Sequence, residues 1–206
     1  MYLHKLQAKR QHADTKQLKS QHMQDNIFKS TMTNGLIMGV LFFVNFLLTG
    51  SKILPLVLLS YLVMALIIVL MHKMTKRYRD VDCGGTIKYW KVFNYVVLTF
   101  LFAAVIASVF KIIYLQYINP EYLPALFEEG MRQIEENRSI FEKLNLPLDD
   151  DYFSTLEKTM RPVTYSIQTI WVNVLLGFAL GLILGFILKK EKSIFEDDSL
   201  SESQHS

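Results

Sequence analysis

Apolar residues along this chain gather into four long runs, and charged or turn-forming segments separate them. The first run, TMTNGLIMGVLFFVNFLLTG, covers residues 31–50 between Lys29 and Lys52; the others cover 53–71, 92–118 and 163–188. At a rise of about 1.5 Å per residue, a run of about twenty matches the roughly 30 Å hydrocarbon core of a bilayer. The pattern predicts an all-α protein, a four-helix transmembrane bundle. The charged segment before the first run is too long for a signal sequence, and Leu48 stands where cleavage after Gly50 would want a small residue, so the first helix is retained. Only Gly50-Ser51-Lys52 separates the first two runs, which forces an antiparallel hairpin. Pro55 falls in the first turn of the second helix, where a missing N–H costs little. Cys83-Gly84-Gly85 breaks the chain before the third helix, Tyr89-Trp90 anchors that helix at interface depth, and Asn119-Pro120 ends it.

The segments between and beyond the runs differ in kind. Residues 1–30 form a polar tail rich in Gln, Lys and His, and 189–206 form a second tail. Residues 119–162 form an acidic insertion in which Leu123, Phe127, Met131 and Ile134, then Phe141 and Leu144, recur at helical spacing with a lapse near Asn137-Arg138. Leu146-Pro147-Leu148 interrupts this pattern. A second short helix follows, with Ser154 and Glu157 spaced as a capping box and Tyr152, Leu156 and Met160 four apart. The expectation is a helical hairpin on the outer side of the membrane between helices three and four.

Charge sets the orientation. Six Lys and Arg precede the first run (Lys5, Lys9, Arg10, Lys16, Lys19, Lys29) and six lie between the second and third (Lys73, Lys76, Arg77, Arg79, Lys88, Lys91). Lys189, Lys190 and Lys192 follow the fourth, whereas the 119–162 segment has five basic residues against ten acidic ones. The basic segments fall on one face, which the positive-inside rule makes cytoplasmic, with both termini there.

Composition adds little beyond this uneven distribution. The chain has 206 residues, 51% apolar and 20% charged, with a net charge of +3 that is too small to imply nucleic acid. Its one cysteine, Cys83, allows no internal disulfide and no cysteine zinc site. His4, His12 and His22 lack the i, i+4 spacing of a helical metal site and are expected to be solvated. The acidic groups Glu128-Glu129, Glu135-Glu136 and Asp149-Asp150-Asp151 lack EF-hand spacing and its glycine, so they are expected to be solvated helix faces and a helix N-terminus. Asn137-Arg138-Ser139 matches a glycosylation sequon, a pattern too common to carry weight.

Inside the membrane runs, no Asp, Glu or His occurs away from the ends. Proton-coupled transport and intramembrane hydrolysis need such groups, and their absence argues against both and against an enzyme. No cofactor or metal is expected. Lys111 is the single charge within a run; twenty residues from Val92, it is expected to snorkel to the headgroups. Small residues carry the positive signal. Gly177, Gly181 and Gly185 form a tandem GxxxG in helix four, continued upstream by Tyr165, Thr169 and Asn173, while Gly35 and Gly39 follow Thr31 in helix one. Glycine every fourth residue lets another backbone approach closely. Intramolecular packing is the first expectation and a homodimer seam the alternative. Equal depth suggests that helices one and four pack together, with Asn45 and Asn173 close enough to interact.

Three stretches carry a resemblance: NIFKSTMTNGLIMGVLFF, GGTIKYWKVFNYVVLTFLFAAVIASVFKIIYLQYINPEYL with its Asn-Pro-Glu-Tyr turn, and the closing glycine-rich helix ending in ILKK. Over residues 26–190 the chain resembles a bacterial membrane family, chiefly from Bacteroidetes, known as domain of unknown function 4199. The resemblance implies four helices and an inner-membrane location, and it carries over no catalytic residue. The long N-terminal tail stands outside it, so a start at Met23 is conceivable. The expectation for function is a non-enzymatic membrane protein whose partners are the bilayer and a protein met through the outer segment. A small transporter or channel component, which an oligomer would suit, is the alternative.

Overall fold

The computed structural model describes residues 27–51, 53–143 and 150–190. The three tail histidines, Lys52, Asp149 and the 144–149 link of the expected hairpin lie outside them. The described residues are helical with short turns. Four helices are long and apolar enough to cross a membrane: α1 (Ile27–Thr49), α2 (Leu54–Arg77), α3 (Tyr89–Ile113) and α7 (Pro162–Leu188). Between α3 and α7 lie α4 (Tyr122–Glu136), α5 (Arg138–Lys143) and α6 (Asp150–Thr159).

The helices outrun the apolar runs. α1 begins at Ile27, and α2 continues past His72-Lys73 into a π-helical turn over Tyr78–Asp82. Backbone hydrogen bonds do not stop where apolar side chains do, and Lys73, Lys76 and Arg77 are exposed along that last stretch. α3 likewise ends in a π-helical turn, Tyr114–Ile118. Between α2 and α3 the chain reverses at Gly84 and Gly85, whose φ of 65° and 83° lie in the left-handed region that glycine tolerates. α4 stops at Asn137, where the apolar pattern lapses. The expected capping box does not form: Ser154 lies inside α6, and its Oγ donates to the Asp151 carbonyl. α6 starts earlier, at Asp150, with Asp151 in its first turn, where a carboxylate suits the positive end of the helix dipole.

α3 is the axis of the bundle. Its contacts with α1 advance together along both chains, from Gly35 against Phe102 to Phe43 against Phe110 and Phe46 against Tyr114, so the two run parallel. Its contacts with α7 run in opposite senses, Gly177 on Phe100, Gly181 on Phe93 and Gly185 on Tyr89, so α7 is antiparallel. α7 lies along most of the length of α3. The core gathers Met38 and Phe42 of α1, Ile67 and Met71 of α2, Tyr95, Val96, Phe100, Ala103 and Ala107 of α3, and Leu184 and Leu188 of α7. Hydroxyls within these apolar helices bond back to their own backbone, as Thr31, Thr75 and Thr99 do to carbonyls four residues earlier. An isolated antiparallel bridge, Ile87 N to Lys190 O at 2.8 Å and Lys190 N to Ile87 O at 2.9 Å, ties the end of α7 to the start of α3.

Candidate functional site: a buried lysine between three helices

At each of the five glycines singled out in the sequence, an added methyl group would meet α3, which is not the partner anticipated. A methyl group at Gly35 would lie 2.6 Å from Phe102 Cβ, and one at Gly39 would lie 2.9 Å from the Ala103 carbonyl. At Gly177 it would meet Phe100 at 2.6 Å, at Gly181 Phe93 at 3.1 Å, and at Gly185 Tyr89 at 2.6 Å. Both glycine ridges therefore face α3, and the proposed seating of α7's ridge on α1 is corrected. Asn45 and Asn173 share no hydrogen bond among the described residues: Asn173 Nδ2 donates to the Thr169 carbonyl of its own helix, and Asn45 Oδ1 is buried without a partner. Equal depth brought them level, but the intervening helix takes both glycine faces.

The polar groups gather at the other end of the α3–α7 seam, nearest α4. Ser108 and Lys111 stand one turn apart on α3, opposite Ser166 and Thr169, one turn apart on α7. Ser108 Oγ donates to the Ser166 carbonyl at 2.9 Å, and Lys111 Nζ donates to Thr169 Oγ1 at 3.1 Å. Thr169 Oγ1 in turn donates to the Ser166 carbonyl at 2.8 Å, so its proton is committed and its lone pair faces the ammonium. Lys111 Nζ also lies 5.0 Å from the centre of the Phe46 ring of α1, a cation–π distance. Lys111 is 6% exposed, so its ammonium ends inside the protein and does not snorkel. Thr169 and the face of Phe46 supply within the bundle part of what headgroups would have supplied outside. No carboxylate pairs with Lys111 among the described residues. Ser166 is fully buried, and its Oγ has no partner there.

An aromatic roof covers this end. Phe46 meets Tyr114 at 6.0 Å and Tyr122 at 5.5 Å between ring centres, both edge-on, and Tyr122 lies over Gly50. Burial, with Tyr165 and Tyr114 as neighbours, pushes the Tyr122 phenol up to about 12. Tyr122 and the buried Leu123 open α4, so this roof also seats the insertion on the bundle. Chemically the site offers a cation, hydroxyls and amides, a set that suits holding an anion or a polar group. Among the described residues it has no paired acid and base. Among the described residues no three His, Cys, Asp or Glu side chains gather as metal ligands.

A second polar network, at the end of the bundle where α1 begins and α7 ends, escaped the sequence reading. Asn34 Nδ2 donates to the Tyr95 hydroxyl at 2.6 Å, Ser30 Oγ lies 3.4 Å from the same oxygen, and the Tyr95 ring stacks on Tyr78 at 4.2 Å. Asn34, a lone amide beside Gly35 in an apolar run, was the available signal.

No curated protein and no solved structure matches the chain. A family model described as protein of unknown function (DUF4199) matches residues 33–190, from the first turns of α1 to the bridge after α7. That span contains both glycine ridges, the Lys111 site and the α4–α6 insertion, and the chain belongs to this family of unknown function.

Proposed function

We propose that the chain is a non-enzymatic protein of the bacterial inner membrane, with cytoplasmic termini and an outer helical hairpin that contacts a partner or the envelope. The observation that carries this reading is the mounting of α4. Tyr122 and Leu123 fix its first turn to the bundle, while Glu128, Glu135 and Glu136 are exposed along the rest. Arg132 bonds to Glu129 and Glu136 at 2.7 and 3.0 Å, which stiffens this charged face without covering it. An anchored, amphipathic, acidic helix suits recognition better than catalysis. Replacing residues 121–160 by a short Gly-Ser loop is expected to abolish co-purification of the partner from cross-linked membranes and to leave insertion intact. Survival of every co-purifying protein would end this reading.

The buried Lys111 favours a second reading, a small transporter or channel component for an anion. It predicts flux through proteoliposomes that falls in Lys111→Leu and Asn173→Leu. Wild-type proteoliposomes that pass none of a broad panel of anions would count heavily against it.

A further inference from the structure

The bridge between Ile87 and Lys190 closes a corner of the bundle above the buried Ile87 and Leu188. It brings Lys88 beside Lys189 and Lys190, from opposite ends of two antiparallel helices, and leaves all three exposed. Among the described residues, Asp80 already accepts a hydrogen bond from Arg79 at 2.7 Å, and Arg79 holds its carboxyl below the usual range. The described part of the corner therefore keeps a surplus of positive charge.

An aromatic strip continues from the corner along the face the bundle turns to lipid. Lys189 Nζ lies 5.9 Å from the Phe186 ring, Phe186 meets Tyr89 at 4.9 Å, and Tyr89 meets Trp90 at 5.2 Å. Trp90 meets Phe93 at 5.5 Å, and Phe93 meets Phe178 at 5.4 Å. Gly181 and Gly185 make the strip possible, because Phe93 and Tyr89 lie over their missing side chains. Trp90 and Phe186 remain 65% and 66% exposed. Cations at the boundary and an apolar strip running inward from them match the two halves of one molecule.

We propose that this corner binds an anionic phospholipid, its phosphate on Lys88, Lys189 and Lys190 and its acyl chains along Phe186, Trp90, Phe93 and Phe178. A soluble acidic protein would match the lysines but would leave the strip unused, and a free phosphate would do the same. The proposal rests on the helices spanning a bilayer and is independent of any partner of the α4–α6 segment.

Trp90 reports on the site. The chain has two tryptophans, so Trp171→Phe leaves Trp90 alone. The full chain carrying that change is reconstituted in phosphatidylcholine vesicles containing a minor fraction of brominated lipid. Brominated phosphatidylglycerol is expected to quench Trp90 more than brominated phosphatidylcholine at the same fraction. Lysines at a membrane surface contribute about 1 kcal/mol each, so replacing all three by Gln should weaken this preference about a hundredfold. Single Lys88→Gln and Lys189→Gln changes should weaken it about fivefold each. Replacing the three by Arg, or placing Gln at the exposed Lys73 and Lys76 of α2, should preserve it. Equal quenching by the two lipids overturns the proposal, and so does a preference that survives all three Gln substitutions or falls equally with the α2 changes. A preference abolished by inorganic phosphate at constant ionic strength overturns it in favour of a free-anion seat.

Discussion

Gly39 and Gly181 occupy equivalent places in their motifs, yet a methyl group would meet different obstacles at the two. At Gly39 it would press on the Ala103 carbonyl oxygen and on Ile106 Cβ, both at 2.9 Å, and a helix backbone cannot step aside. At Gly181 it would meet the edge of the Phe93 ring at 3.1 Å, and a ring can swing. Alanine also gains about 1 kcal/mol over glycine in helix propensity, which offsets a mild clash. Gly39→Ala should therefore lower stability by about 1–3 kcal/mol, whereas Gly181→Ala should be neutral or slightly stabilising. Unfolding of the purified protein in SDS measures both, and equal losses would show that α1 and α7 approach α3 in the same way. The glycine spacing announced a close approach, which α3 supplies with its backbone at Gly39 and with the rings of Phe100, Phe93 and Tyr89 at Gly177, Gly181 and Gly185. It did not say which helix approaches, because spacing carries no direction around the helix. Lys111 was harder still to place. Its burial depends on Thr169 and Phe46, which arrive from helices far along the chain, and its position near the end of a run fitted a headgroup equally well.

At the scale of the element, α4 depends on one aromatic side chain. Tyr122 is held above its ordinary value of 10.0, at about 12, because its phenolate would be formed against Phe46, Tyr114 and the end of α1. A phenol whose folded value is raised binds its proton more tightly when docked than when released. The docked form is therefore fully favoured below pH 10 and loses its advantage as pH climbs from 10 towards 12. Proteolysis of the 121–143 segment should accelerate over that window, and Tyr122→Phe should remove the dependence while keeping the segment seated. A profile unchanged by Tyr122→Phe would assign the transition to another group. The amphipathic repeat of α4 and its stop near Asn137 were legible, because apolar spacing and its lapse are local properties. For α6 the aspartate run read as a helix N-terminus coincides with the start at Asp150, whereas the serine-glutamate pair that looked like a cap lies inside the helix.

For the whole molecule, four helices long and apolar enough to cross a membrane could be read from the runs alone, since length and apolarity are local properties. The arrangement of those helices could not. Positive charge at the end where α1 begins and α7 ends supports a cytoplasmic placement of that end, and the native Cys83 allows a test. In a Ser139→Cys variant, a membrane-impermeant maleimide applied to intact cells with a permeable outer layer should label position 139 and spare Cys83. Labelling of Cys83 with sparing of position 139 would reverse the orientation.

The central place of α3 also bears on how the protein is made. A ribosome delivers α1 and α2 first, joined by a turn too short for anything but a hairpin. At that moment Gly35 and Gly39 present an open notch to lipid, because the backbone they fit has not yet been synthesised. α3 fills the notch on arrival, and its other side then waits for α7, held off until the acidic insertion has passed. A nascent chain halted after α2 is inserted but lacks the helix on which its glycines close. The order of the helices along the chain therefore sets how long each notch stays open.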